Sequence, residues 1–158
     1  MYSWFIILVS FFIAMILVLL PMPDWAVWYR PAWVLLILIY WAMVLPQYVN
    51  VGVAWFIGIF VDLLTGTLLG EHALAYIVVI YFVNRMAIRL NMSPLLQQGV
   101  SILFFVLLYQ FILYCIQGFI GELPTSHFYW ISSVTSMLLW PWLVVLMRDC
   151  RRWFKVAT

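Results

Sequence analysis

The sequence predicts an all-α membrane protein in which six transmembrane helices form one bundle, a single transmembrane domain that takes up residues 1–158. Two features of the composition predict this fold class. Hydrophobic residues make up 69% of the chain and charged residues 8%, whereas about a quarter of the residues in a soluble domain are charged. The apolar runs between the charged residues are too long to be packed inside a soluble body of this size, so lipid must cover them.

Six segments approach the length of about 20 apolar residues that a helix needs to cross a hydrocarbon core about 30 Å thick. The first lacks a basic region and a cleavage site, so we expect a retained helix instead of a removed signal peptide. The second is short and bracketed by prolines, the fourth is prolonged because its arginines can snorkel, and the fifth is long enough to require tilt. The predicted spans are residues 4–20, 33–45, 51–69, 72–89, 94–120 and 128–147, followed by a basic cytoplasmic tail at 148–158.

The positions of Lys and Arg predict the orientation, because cytoplasmic loops carry the excess of basic residues. Six crossings put both termini and six of the seven basic residues on one side. These six are Arg85, Arg89, Arg148, Arg151, Arg152 and Lys155. The other side carries Asp24, Glu71 and Glu122, with Arg30 as its one basic residue. The sequence therefore predicts a multi-pass protein of the cytoplasmic membrane with both termini in the cytoplasm.

The third predicted helix carries the most informative pattern, in which Gly58, Asp62, Gly66 and Gly70 recur every four residues along one helical stripe. Glycines at this spacing let a second helix approach closely. An ionised carboxylate within the bilayer is costly, so Asp62 should be protonated, hydrogen-bonded to another helix or paired. We favour a clasp that holds the bundle or a partner together, and a site for an ion, a proton or a ligand is the open alternative.

Other polar residues on the predicted outer face are interpreted as structural. Arg30, Glu71 and His72 either pair in a small polar vestibule or anchor the chain at the interface. Neither histidine has metal-ligand spacing, so no metal and no cofactor is expected. An intramembrane enzyme would need a second titratable residue within hydrogen-bond reach of Asp62, and we expect none. The net charge of +2 excludes the strong positive field that draws nucleic acid.

Two further helical stripes predict contact surfaces. Gln110, Tyr114 and Gln117 follow an i, i+4, i+7 pattern, which indicates a face of the fifth helix buried against protein. The C-terminal basic residues repeat at i, i+3, i+4, i+7 and gather on one face. That face would attract anionic lipid headgroups or dock an acidic cytoplasmic partner. Its members are Arg148, Arg151, Arg152 and Lys155.

A longer set of motifs makes the chain similar to a known family. The set comprises the Pro-Met-Pro-Asp turn at 21–24, the run Arg-Pro-Ala-Trp-Val-Leu-Leu at 30–36, Tyr-Trp at 40–41, Pro46, Val-Asn-Val-Gly at 49–52, Gly58, the D-L-x-x-G-x-x-L-G pattern at 62–70, and Leu-Trp-Pro-Trp at 139–142. With these residues the sequence resembles MreD, the rod shape-determining membrane protein family, over nearly its whole length. The pattern at 62–70 is the most specific part.

The resemblance implies a non-catalytic scaffold of the bacterial cell-elongation complex. Proteins of this family bind MreC, a protein with a single membrane span, and help to couple MreB filaments to a glycosyltransferase and transpeptidase pair that makes peptidoglycan. Partner-binding residues would be Gly58, Asp62, Gly66, Gly70 and Arg30, and a homodimer is possible. The six-helix fold is thought to resemble the substrate-binding subunits of energy-coupling-factor transporters. The alternative is therefore a subunit that binds or transports a small molecule or a lipid intermediate, which a polar-lined outer cavity would favour over a filled bundle centre.

Overall fold

The computed structural model describes residues 2–21, 23, 32–66, 68–121 and 130–154. The regular structure in these ranges is helical and includes no strand, which confirms the predicted fold class. Two helices are long and apolar enough to cross a bilayer by length and composition, at Leu95–Ile120 and Ile131–Trp153, and shorter apolar segments cover Trp4–Leu19, Trp33–Val44 and Val51–Thr65. In chain order the helices are α1 (Tyr2–Leu19), α2 (Trp33–Val44), α3 (Val51–Thr65), α4 (Glu71–Arg85), α5 (Ala87–Met92), α6 (Leu95–Ile120) and α7 (Ile131–Phe154).

Helix α2 forms the centre of the bundle. All ten residues from Val34 to Met43 are buried, and the helix packs against α1, α4, α5 and α7. A helix that is apolar on every side suits either lipid or a protein core, and here other helices enclose it. Its 12 residues span about 18 Å at 1.5 Å per residue. The buried Trp41 indole Nε1 donates a hydrogen bond to Ser10 Oγ in α1 at 2.9 Å, so its polar edge is satisfied inside the apolar core.

Helices α3 and α4 form a tightly packed hairpin. Asn50 caps the start of α3, since its side-chain Oδ1 accepts from the backbone N–H of Gly52 at 3.0 Å. The helix ends at Thr65, four residues before the predicted end of the span at residue 69. Gly66 ends it by adopting the left-handed conformation, with φ of 71°, which costs glycine little because it has no Cβ atom.

The predicted fourth span is not one continuous helix. It breaks at Met86 into α4 and α5, although neither Gly nor Pro marks the break. The cause is tertiary, because α5 turns to pack against α2. There the Asn91 side-chain Nδ2 donates to the carbonyl oxygen of Met43 at 2.7 Å and satisfies a carbonyl at the end of α2 that the helix itself leaves open.

The basic tail continues the last helix. Helix α7 runs through Pro141 and past residue 147 to Phe154, so the predicted end of the sixth span is not the end of a helix. Arg148, Arg151 and Arg152 therefore lie on a helical surface joined without interruption to the bundle. Trp140, one residue before the proline, is fully buried and anchors this helix in the core.

Candidate functional site

The Asp62 carboxylate lies at the junction of α3 and α4, where two backbone N–H groups and the ring of His72 approach it. The backbone N–H of Gly70 donates to Oδ2 at 2.8 Å, and the backbone N–H of His72 donates to Oδ1 at 3.0 Å. The His72 ring Nδ1 lies 2.7 Å from the same Oδ1. Asp62 is 1% exposed. Charge-assisted hydrogen bonds of this kind offset the cost of burying a carboxylate.

The local sequence explains why Asp62 occupies this position. The N-cap residue of α4 is Gly70, with φ of 98°, and it has no side chain with which to cap the helix. Asp62, eight residues earlier, reaches across the turn and accepts from the first N–H groups of α4 in its place. A negative charge at this end also interacts favourably with the helix dipole. The D-L-x-x-G-x-x-L-G pattern is therefore the sequence of a helical hairpin whose second helix is capped by the first.

The predicted glycine stripe serves two different purposes in the hairpin. Gly58 is buried where α3 meets α4, and a Cβ atom there would lie 2.3 Å from the Cα of Ala73. Gly66 and Gly70 instead adopt positive φ angles in the turn and have open space beside their Cα atoms. The stripe and Asp62 thus form one structural unit within the chain, and a role for them in binding a partner stays a prediction.

A second polar contact ties α4 to α6. Glu71 is 4% exposed, and its Oε1 accepts a hydrogen bond from Gln117 Nε2 at 3.0 Å. On the same stripe of α6, Gln110 is 3% exposed, whereas Tyr114 and Gln117 are only partly buried. Beside them the rings of Tyr76 and Tyr109 stack with centroids 5.6 Å apart, and the His72 ring lies 6.0 Å from that of Tyr76. We call Asp62, Glu71, His72 and Gln117 the hairpin cluster.

The expectation that no second titratable residue would lie within hydrogen-bond reach of Asp62 is wrong, because His72 does so. The two residues are ten positions apart and belong to different helices, so helical periodicity could not pair them. The signal was the pair of glycines, which together mark a turn short enough to bring residue 72 back to residue 62. Both carboxylate oxygens already accept backbone N–H groups, which gives the pair a structural role.

The predicted basic face divides in the structure. Arg148 and Arg152 are exposed, whereas Arg151 is half-buried, with its guanidinium carbon 5.7 Å from the centroid of the Tyr40 ring in α2. A cation over an aromatic ring is attracted to it, so Arg151 joins α7 to the central helix. Arg30 and Lys155 lie outside the described residues, as do Asp24 and Glu122.

The cavity beside the hairpin cluster is mostly apolar. It has a volume of about 410 Å³. Its walls include Trp55, Leu69, Leu74 and Ile116, with Glu71 as the one charged lining residue. The bundle centre, in contrast, is filled by α2. No group of three His, Cys, Asp or Glu side chains suited to a metal occurs in the parts of the chain that the structure describes. The cavity is thus not the polar-lined outer cavity that would favour a subunit binding a small molecule.

Comparisons with known proteins agree with the motifs. The family model described as rod shape-determining protein MreD matches residues 1–150. The rod shape-determining protein MreD of Haemophilus influenzae is 33% identical over 157 residues, which cover 98% of this chain and 95% of that protein. No solved structure matches the chain.

Proposed function

This chain belongs to the MreD family of rod shape-determining proteins, and from that membership we propose that it is a non-catalytic scaffold of the bacterial cell-elongation complex that binds MreC. Through MreC it would help to couple MreB filaments to the glycosyltransferase and transpeptidase pair and so maintain cell shape. It would do so in the cytoplasmic membrane, crossing it six times with both termini in the cytoplasm and with α4 and α5 together forming the fourth crossing.

One observation carries the scaffold proposal. The polar side chains of the hairpin cluster bond to one another and to backbone groups of the chain itself. The helix at the centre of the bundle is enclosed by its neighbours. The surfaces that remain for function are the outer faces of the helices, which suit binding to another protein within the membrane.

We propose that the single helix of MreC docks in the apolar cavity beside the hairpin cluster, which forms an open groove next to the α3–α4 turn. The groove presents Trp55, Leu69 and Leu74, which are 45%, 62% and 51% exposed. Gly70 and Ala73 form part of its floor, and small residues of this kind let a helix approach closely in a membrane. Gly58 and Asp62 would act indirectly by holding the hairpin in shape, and Arg30 stays a candidate contact near the start of α2.

Photocrosslinking tests this docking site in native membranes. A photoreactive amino acid at position 74 is expected to capture MreC, because Leu74 lines the groove and its side chain is half exposed. The matched control is position 145 in α7, where Val145 is also 51% exposed. Capture of MreC from position 145 but not from position 74 would assign the contact to another face. The substitution Gly66→Leu could not test the docking site. A leucine at φ of 71° would distort the turn whether or not MreC binds there.

We propose that the exposed part of the basic face contacts the cytoplasmic filament side of the complex. Arg148→Glu with Arg152→Glu reverses two exposed charges without touching the core and is expected to turn rod-shaped cells round at normal protein levels. The matched control is Arg148→Lys with Arg152→Lys, which keeps the charges and should keep the rods. Cell shape and membrane localisation are measured by microscopy. Unchanged rods in the charge-reversed strain would exclude this contact.

A further inference from the structure

The break between α4 and α5 creates a groove that the scaffold proposal does not use. The chain turns at Met86 and again at Ser93, and the turns enclose an open groove of about 870 Å³ between the end of α4, α5 and the start of α6. Arg85 and Arg89 both line it. We call this surface the arginine corner.

The two arginines leave the arginine corner with uncompensated positive charge. Both are exposed, and neither forms an ion pair with a carboxylate among the described residues. The ion pair in that part of the chain joins His72 and Asp62. The Arg85 guanidinium is held in place, since Nη1 donates to the Tyr81 hydroxyl at 3.0 Å and its central carbon lies 5.8 Å from the Tyr81 ring centroid. A guanidinium fork of this kind suits bidentate binding of a phosphate.

Apolar side chains surround the same arginines. Ile88 and Met92 are 78% and 83% exposed, and Phe82 is 45% exposed. All three line the groove. Paired cations beside exposed apolar side chains, here at the end of α4 and on α5, are typical of a segment at the boundary between headgroups and acyl chains.

The backbone of the arginine corner is fixed from beneath. The buried Gln98 side chain donates from Nε2 to the carbonyl oxygen of Leu90 at 2.8 Å and to that of Ser93 at 3.3 Å. Its Oε1 accepts from the Trp140 indole at 3.3 Å. These bonds hold the turn after α5 against α7, so a ligand would meet a preformed site and lose less freedom on binding.

We propose that the arginine corner binds the headgroup of an anionic phospholipid. The phosphate lies between Arg85 and Arg89, and an acyl chain lies along Ile88 and Met92. An acidic protein segment would satisfy the arginines, but it would also need apolar side chains of its own to cover Ile88 and Met92. The lipid satisfies both, which is why the lipid is the occupant that we assign.

Native mass spectrometry of the full-length protein tests the assignment, with phosphatidylglycerol as the anionic probe and phosphatidylcholine as the zwitterionic one. Two arginines near an anionic headgroup should together favour phosphatidylglycerol by on the order of 30-fold. Arg85→Gln with Arg89→Gln should abolish most of this preference. The comparison variant, Arg148→Gln with Arg152→Gln, removes the same charge from the basic face of α7. It should release lipid held loosely at that face and keep the one phosphatidylglycerol that is held tightly at the arginine corner. If the double variant does not fold, the single variant Arg89→Gln replaces it and should lose part of the preference for phosphatidylglycerol.

Three results would overturn the assignment of a phospholipid to the arginine corner. Equal losses of phosphatidylglycerol in the two double variants would mean general attraction to a positive protein. Competition by soluble glycerol phosphate as strong as that by the lipid would exclude a role for the acyl chain. If an added acidic peptide binds the wild type and displaces phosphatidylglycerol, the arginine corner is assigned to a protein partner instead.

Discussion

Gly58→Ala is expected to destabilise the protein by about 3 kcal/mol and to reduce the amount of folded protein recovered from membranes. The new Cβ atom would lie 2.3 Å from the Cα and 2.6 Å from the backbone nitrogen of Ala73. Both are backbone atoms, so no side chain can rotate away to make room. Helices α3 and α4 would have to separate along the length of their contact, and the measurement is the midpoint of denaturant-induced unfolding in detergent.

Gly99 offers a matched control for this substitution. It is also a buried helical glycine, in α6, but its nearest neighbour would be Met137 Cγ at 3.8 Å, an ordinary van der Waals contact. Gly99→Ala should therefore be neutral or stabilise the protein by a few tenths of a kcal/mol, because alanine favours helix. If the two variants unfold at the same midpoint, close packing at Gly58 does not hold the hairpin together.

Asp62→Ala is expected to cost about 3 to 5 kcal/mol, the range for breaking a buried polar pair by removing one partner. The substitution leaves the backbone N–H groups of Gly70 and His72 and the ring of His72 without their acceptor. Asp62→Asn keeps one carbonyl acceptor and should cost less. Exposed Asp149 supplies the control, since Asp149→Ala removes the same charge from the surface of α7. The unfolding midpoint is again the measurement.

The same variants distinguish a clasp from a ligand site. If Asp62 is a clasp, the Asp62→Asn variant should lose less stability than the Asp62→Ala variant and should also keep more of the rod shape. If Asp62→Asn folds as stably as the wild type yet gives round cells, then the carboxylate acts on an ion, a proton or a ligand and the structural interpretation is wrong. An Asp62→Ala protein with unchanged stability would contradict the role of the carboxylate in capping α4.

The sequence predicted elements whose boundaries are set by local chemistry. Helix α2 lies within one residue of its prediction, because flanking prolines and an unbroken apolar run define it. The start of α6 after Pro94 and its end before Gly121 follow from the same kind of signal. The prediction extends α3 too far for a related reason. Gly66 fits the four-residue glycine stripe of a packing face, but in the structure it ends the helix with a positive φ angle.

Features that depend on contacts between helices escaped prediction. The break at Met86 follows from the packing of α5 against the end of α2, and no local residue encodes it. The pairing of Asp62 with His72 depends on the path of the turn between two helices. The division of the basic face has the same origin, because Arg151 is set apart from Arg148 and Arg152 by a ring in a helix more than 100 residues earlier, that of Tyr40.

The enclosure of α2 has a consequence for biogenesis. Of the four helices that surround it, only α1 precedes it, and the ribosome completes α2 well before α4, α5 and α7. With 12 residues it is shorter than the hydrocarbon core is thick, so its stable insertion depends on the helices that enclose it. We therefore expect the bundle to be complete only after the C-terminal helix has emerged, and chains truncated before α7 to be degraded faster than the full-length protein.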